Sequence, residues 1–459
     1  MEHVAVAVVG GGPAGASAGA AAAAAGADTV ILEQGVPRAE RSTPGPDSTD
    51  AAAFVDYWVD LAGLDYTDIP GELIINPLTS ATFHGPTERI TLHETGRSSS
   101  CPHFGFTFDR VGFDDWLLGR AVTAGADYRV GTGVKTVDST VAPSETSHVV
   151  TLLDDTRIRA DAIVLADGPQ RGLTIPTVGQ FLPGDRGLEE YLDPVAVNHI
   201  GYQEYRRFPA EVFQKDTIGF WWGWMPGETA YSWIFPDRPP LARVGFTRPV
   251  SVDLDTVRDR GHYRLLEPTD DLIPRGDEYV RRFLDARFGD VYDVEYEFPL
   301  VTERGKGGGS ESYPISSTRP IESPTGANVA VTGGAMGATS AFHEGGYYLA
   351  MRTGAIAGRL AGVDRLDRYN EAWRAAIGGD VRLSIAVSDM VEGYTPPDWD
   401  RAFRIGRQMG YEHHAIRHHK LLTQTGVAAA GFLARFAAHR WRLRGRRFVK
   451  LRESAYEYQ

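Results

Sequence analysis

The chain opens on Val4-Ala5-Val6-Ala7-Val8-Val9, an unbroken apolar run of β type, which predicts a strand buried on both faces. Glycines follow at once. The alanine-rich stretch 14–25 then predicts a helix ended by Gly26, and Thr29-Val30-Ile31-Leu32 predicts a second strand, completing one βαβ unit. Pro, Gly, Ser and charged residues dominate 34–50, which predicts a loop. Residues 73–92 alternate as strands do, with turns at Pro77, Gly85 and Pro86. Phe113, Trp116, Leu117 and Ala121 fall on one helical face, predicting a helix over 113–124 opened by Asp109. Strands are predicted at 128–137, 148–153 and 162–166. From about 180 to 300 the texture is strand-rich and aromatic, as in a mostly antiparallel sheet. Residues 329–332 return to a buried strand that runs into glycines and a long helix over 345–361, and the last ninety residues read as helical.

That return to strand, glycine and helix predicts an interrupted domain. One α/β unit is expected to gather 1–72, 105–174 and 306–365. Residues 73–104 and 175–305 form a second, mostly antiparallel sheet domain, and 366–459 a helical C-terminal region.

The glycines carry the first chemistry. Gly10-Gly11-Gly12-Pro13-Ala14-Gly15 satisfies G-x-G-x-x-G between the first strand and its helix. Gly10 permits the tight turn, Gly12 lets backbone amides approach a pyrophosphate, and Gly15 lets helix and strand pack closely. The helix start adds unpaired N–H groups and its positive dipole end. Glu33, at the end of the second strand, is placed to accept hydrogen bonds from adenosine ribose hydroxyls and to repel a 2′-phosphate. The unit therefore predicts an adenine dinucleotide, without distinguishing FAD from NAD. No second such motif exists, so a nicotinamide donor would visit transiently.

Composition excludes several classes. A net charge of −13 argues against a nucleic-acid partner. The charge is uneven: residues 401–459 hold 13 Lys+Arg against 3 Asp+Glu, leaving 34 against 57 elsewhere, an acidic body with a basic tail. The single Cys101 excludes an intrachain disulfide. No run of 18 apolar residues is present, so a cytoplasmic protein, or one peripheral on the inner membrane surface, is expected. His413, His414, His418 and His419 lack an accompanying Cys or carboxylate cluster and read as a solvated helix face, with no metal expected.

Taken together, Gly10–Gly19 with Glu33, Asp109-Arg110-Val111-Gly112-Phe113-Asp114, Ala166-Asp167-Gly168-Pro169 and Gly333-Gly334-Ala335-Met336-Gly337 resemble, in this order, the p-hydroxybenzoate-hydroxylase-like FAD superfamily. Within it the pattern looks most like the geranylgeranyl reductases. The resemblance implies a Rossmann-type FAD-binding domain interrupted by a β-sheet substrate domain. It implies cofactor contacts from Gly10, Gly12, Pro13, Ala14, Gly15, Glu33, Arg110, Val134 (to adenine), Asp167, Gly168, Gly334 and Gly337. The amides around Gly345 and Gly346, at a helix start, would face the flavin pyrimidine, where reduced flavin carries negative charge. The chain departs from the family at Gly334, where Asp is usual, at Ala341, where Pro is usual, and at Ser42-Thr43-Pro44-Gly45, which replace a Cys.

Tyr231-Ser232-Trp233-Ile234-Phe235-Pro236 fits the family's Y-x-W-x-F-P pattern. Strand alternation puts Tyr231, Trp233 and Phe235 on one face, and with Trp222 and Trp224 they would either wall an apolar substrate cavity or fill a sheet core. The implied reaction is an FAD-dependent reduction of C=C bonds in an isoprenoid chain, fed by NAD(P)H or an electron-carrier protein. Tyr231, His343 and Glu344 are the candidate proton donors. The alternative is a flavin monooxygenase that hydroxylates a small aromatic or apolar substrate. In 421–451, Arg residues alternate with Leu433, Phe436, Trp441 and Phe448, which predicts either an interfacial membrane helix or a helix docked on the acidic body.

Overall fold

The computed structural model describes residues 1–36, 53–142, 145–184, 186–192, 195–304, 308–409 and 424–458. The apolar opening run forms β1 (Glu2–Val9), with Val6, Ala7 and Val8 wholly buried. Pro13 at the first helical position starts α1 (Pro13–Ala24), which leads to β2 (Thr29–Leu32). After β3 (Ala53–Val55) and the short α2 (Asp56–Ala62) come β4 (Ile74–Leu78), β5 (Ser80–His84), β6 (Arg89–Leu92) and β7 (Gly105–Phe108). The Asp109 carboxylate accepts from the Gly112 N–H and so caps α3 (Arg110–Thr123). Next are β8 (Asp127–Arg129), β9 (Val134–Ala142), β10 (Glu145–Leu152), β11 (Arg157–Leu165) and α4 (Thr174–Gly179).

The strands β12 (His199–Arg207), β13 (Thr217–Trp222), β14 (Tyr231–Pro236) and β15 (Leu241–Pro249) precede α5 (Gly276–Phe288) and α6 (Val294–Glu297). The chain then runs through β16 (Ser310–Ile315), β17 (Val329–Val331), α7 (Gly333–Met336) and α8 (Tyr347–Gly362). It finishes with α9 (Tyr369–Val391), α10 (Pro396–Met409) and α11 (Gln424–Arg442).

Three sheets result. The first runs β8-β2-β1-β11-β10-β9, with β17 beside the C-terminal half of β11; β8, β2, β1, β11 and β17 are parallel, while β10 and β9 are antiparallel. The second runs β16-β12-β15-β14-β13-β5-β6, antiparallel except for β13 with β5. The third is the small antiparallel set β3-β7-β4.

Helices α1 and α8 pack without intervening side chains. A Cβ on Gly354 would stand 2.0 Å from the Ala14 carbonyl oxygen, and one on Gly358 would stand 1.8 Å from that of Ala18. Glycine is therefore required at both positions.

Three local expectations need correction. The strand predicted over 128–137 is two strands separated by a turn at 130–133: β8 stays in the parallel sheet and β9 joins the antiparallel flap. Helix α5 interrupts the strand-rich region. Its Tyr279, Val280, Phe283 and Leu284 form one buried face against Trp221, Trp224 and Phe246. Residues 73–104 divide, with β4 in the small sheet and β5 and β6 in the large one.

Candidate active site

The C-terminal ends of β1 and β11, where the parallel order reverses direction, open onto a cleft of about 460 Å³. Of the expected cofactor residues, Gly10, Gly12, Pro13, Ala14, Glu33, Arg110, Val134, Asp167, Gly168, Gly334, Gly345 and Gly346 line it. Gly15 and Gly337 do not. A Cβ on Gly15 would stand 1.8 Å from the Gly10 carbonyl oxygen, so this glycine shapes the turn from beneath. Gly337 caps α7 and faces Thr318 and Arg171. The buried Arg171 guanidinium donates to the carbonyls of Ala335 and Val195 and to Thr318 Oγ1, pinning the glycine turn from behind.

The carboxylates have distinct duties. Glu33 accepts from the N–H groups of Gly11 and Gly35, both at 2.6 Å, which ties the end of β2 to the glycine loop. The Asp167 carboxylate is taken up in capping α4, accepting from the Leu173 and Thr174 N–H groups at 2.7 and 2.9 Å and from Thr174 Oγ1. Burial raises its pKa against the pull of those donors. Gly334 lies under Pro169, whose nitrogen would be 3.1 Å from an added Cβ. The Cβ of the aspartate usual in the family would therefore crowd the Gly168-Pro169 turn, which would have to give by a few tenths of an ångström. Ser42-Thr43-Pro44-Gly45 and the four histidines of 413–419 lie outside the described residues.

Several cleft residues had no signal in the sequence motifs. Phe54 and Trp58 come from β3 and α2, Tyr313 and Ile315 from β16, and Tyr347 and Tyr348 from the start of α8. Trp58 stacks on Tyr348 (4.6 Å, 8°) and on His343 (4.8 Å, 23°). Arg110 bonds both oxygens of Asp114 and lies 4.3 Å over the Tyr347 ring.

The aromatic residues form a packed cluster, and none of Trp222, Trp224, Tyr231, Trp233, Phe235 and Pro236 lines this cleft. Trp222, Tyr231, Trp233 and Phe235 share the inner face of the large sheet with Tyr313, Ile315 and Trp399. Phe342 lies parallel to Trp222 at 5.5 Å. Trp224 goes elsewhere. Gly223 takes φ +73°, which turns the chain out of strand geometry, and Trp224 packs on the outer face against Trp221 and Phe283. The two faces meet different neighbours, but Tyr313 and Ile315 belong both to the inner cluster and to the cleft wall.

The three candidate donors separate clearly. Tyr231 donates its hydroxyl to the His343 carbonyl, and burial raises its pKa far above the ordinary value. His343 accepts from the Gly345 N–H at Nδ1, and burial lowers its pKa to about 4, so it is neutral at pH 7. Glu344 alone lines the cleft. Its backbone holds φ +56°, a strained region for a residue with a side chain. Burial pushes its carboxyl pKa up to about 8, against the lowering pull of the nearby Ser317 and Thr229 hydroxyls.

No protein-family profile matches the chain. It is 26% identical over 413 residues to a digeranylgeranylglycerophospholipid reductase of Methanosarcina mazei, covering 86% of each chain. It is 25% identical over 408 residues to the second such reductase of Methanopyrus kandleri, covering 83% of this chain and 85% of that one. In fold it is similar to a geranylgeranyl bacteriochlorophyll reductase-like protein of Thermoplasma acidophilum (TM-score 0.65, 17% identity, 95% and 96% of the two chains). A myxobacterial FAD-dependent chondrochloren halogenase shares the fold at a TM-score of 0.58 and 16% identity, over 98% of this chain and 100% of that one. With the glycine cradle, the cleft and the Y-x-W-x-F-P strand in place, the chain is a flavin-dependent oxidoreductase similar to the geranylgeranyl-type reductases.

Proposed function

We propose that this enzyme binds FAD in the cleft and saturates C=C bonds in an isoprenoid chain, that of a geranylgeranyl-type lipid or a polyprenyl quinone. The residues fit the cofactor. At Gly12 and Gly168 a Cβ would meet nothing within 4 Å, so the backbone there is open to a ligand. Gly12 also precedes the start of α1, whose N–H groups favour a pyrophosphate. Glu33 suits ribose hydroxyls, Val134 the adenine, and Gly345 and Gly346 at the start of α8 the flavin pyrimidine. When bound and reduced, FAD supplies the hydride that an unactivated alkene requires.

The protein's own share is placement, exclusion of water and a proton. An isoprenoid has no polar handle, so shape and aromatic surface recognise it. Tyr313 and Ile315 lead from the cleft to Trp222, Tyr231, Trp233 and Phe235, and admitting a chain requires that ring stack to part. NAD(P)H or a reduced carrier protein serves as a transient donor.

The observation that carries the reading is one cleft that gathers Gly12, Glu33, Gly168 and Gly345 beside an aromatic sheet face, in a chain similar to named isoprenoid-lipid reductases. Photoreduced protein without oxygen is expected to be reoxidised by a geranylgeranyl lipid, whose mass rises by two hydrogens per bond. Reoxidation only by O₂ with an aromatic compound would instead assign it to hydroxylation.

Peripheral membrane contact through 421–451 is part of the proposal. No helix of the described residues is long and apolar enough to cross a membrane. In α11, Phe432 and Phe436 pack inward, while Leu433, Arg435, Arg440, Trp441 and Arg442 are exposed. An outward face of arginines with Leu and Trp suits an anionic bilayer. Replacing Leu433 and Trp441 with Ser should cut cosedimentation with anionic vesicles several-fold while flavin content stays constant; unchanged binding removes this contact.

A further inference from the structure

A directed chain of polar groups ends on Glu344. Thr229 Oγ1 donates to Glu344 Oε1 at 3.2 Å, and His199 Nε2 lies 3.0 Å from Thr229 Oγ1. His199 Nδ1 is 3.2 Å from Ser317 Oγ, which accepts from Asn198 Nδ2 at 3.1 Å. One tautomer satisfies every link: Asn198 gives to Ser317, Ser317 to His199 Nδ1, His199 Nε2–H to Thr229, and Thr229 to Glu344. His199, Thr229, Ser317 and Glu344 are all at least nine-tenths buried, whereas Asn198 is only half-buried. Glu344 Oε2, in a residue that lines the cleft, has no partner among the described residues. A buried, unpartnered carboxyl oxygen is costly to retain, and a function for it is expected.

The geometry points to Glu344 as the proton donor for alkene reduction, refilled through Thr229, His199 and Ser317, with the half-buried Asn198 amide orienting the Ser317 hydroxyl rather than passing a proton. This rests on the reaction proposed above. The hydride adds to one alkene carbon and the Oε2 proton to the other, so the bond gains both hydrogens and Glu344 is left as a carboxylate. A proton then moves along the hydroxyl and imidazole groups to restore the acid, with net uptake from water. The other titratable groups around Glu344 are compatible with this. His199 is held neutral at pH 7 by burial, with a pKa of about 4, so the 3.6 Å contact between its Nε2 and Glu344 Oε1 is not an ion pair there. Tyr231 stays protonated, and His343 is neutral.

The test uses full-length protein and the variants Glu344→Gln, Glu344→Asp and His199→Gln. Flavin titration and the bound-flavin spectrum should be unchanged in Glu344→Gln, which separates cofactor binding from proton delivery. Infrared difference spectra of wild type between about pH 6 and about pH 9 should show a protonated-carboxyl band that titrates and is absent in Glu344→Gln. Anaerobic reoxidation of photoreduced enzyme by a geranylgeranyl lipid should slow about 10²-fold or more in Glu344→Gln, as for a lost general acid. Glu344→Asp should recover part of the rate. In His199→Gln the first turnover should be less affected than the steady state, because only refilling is impaired. An unchanged reoxidation rate in Glu344→Gln, or a carboxyl band that survives that substitution, overturns the inference while the FAD reading stands. Wild type that binds FAD yet is not reoxidised by the lipid overturns the reaction itself, and the inference with it.

Discussion

The dinucleotide cradle and the aromatic face of the large sheet are neighbours built on opposite plans. The cradle is backbone: glycines at 10, 15 and 334 set how closely strands, helices and turns approach, Gly12 leaves the space before α1 open, and the result is an open cleft. The aromatic face is side chain: Trp222, Tyr231, Trp233 and Phe235 interleave with Phe342 and Trp399 into a packed cluster. Backbone geometry admits few solutions, so glycine spacing reads almost directly as a site. Rings on a strand face look the same in sequence whether they wall a cavity or fill a core.

The contrast can be broken at several points. The largest effect is expected at Gly358→Val, where new side-chain atoms meet the Ala18 backbone; loss of soluble, folded protein, or a cost above about 4 kcal/mol by chemical denaturation, is the outcome. Trp222→Ala should cost about 3–5 kcal/mol as a core truncation, while FAD affinity by fluorescence titration stays within about threefold. A stability cost below about 1 kcal/mol would show that the aromatic face is a loosely held cavity wall.

A titration sharpens the boundary between the two regions. The Glu344 pKa is raised from an ordinary 4.5 to about 8 in the folded protein. Its contribution is therefore fully present below about pH 4.5 and lost as pH rises towards 8. Wild type should lose on the order of 2–4 kcal/mol relative to Glu344→Gln across that window, measured as the difference between their denaturation curves. The smallest effect is expected at Gly12→Ala. Its Cβ meets nothing, so apo stability should change by less than about 1 kcal/mol, yet FAD affinity should fall about tenfold or more because the methyl occupies the phosphate approach.

What was legible in the chain follows the same division. The βαβ unit, the Asp109 cap and the long helix after Gly346 follow from local backbone rules, and the sheet order agrees with them. The Asp167 carboxylate could not be placed in advance, because the helix it caps, Thr174–Gly179, has no periodic signature in so short a span. Alternation alone would put Trp224 on the face of Trp222, but one glycine, Gly223, ends the alternation and sends Trp224 to the outer face. Trp58, Tyr313 and Tyr348 reach the cleft from three separate segments, a convergence set by topology and invisible to any window of sequence. The Glu344–His199 chain was half visible: Glu344 stands beside the glycine turn, but His199 and Thr229 arrive from β12 and the turn before β14.

The glycine-lined contact between α1 and α8 bears on the cofactor as a whole. Both helices begin at the cleft, one after Gly12 and the other after Gly346. Their bodies touch carbonyl to α-carbon, where no rotamer can relax. The two helix starts are thereby held like the jaws of a caliper set to one molecular length. A ligand longer or shorter between its phosphates and its ring would have to bend, since the gauge itself has no soft joint.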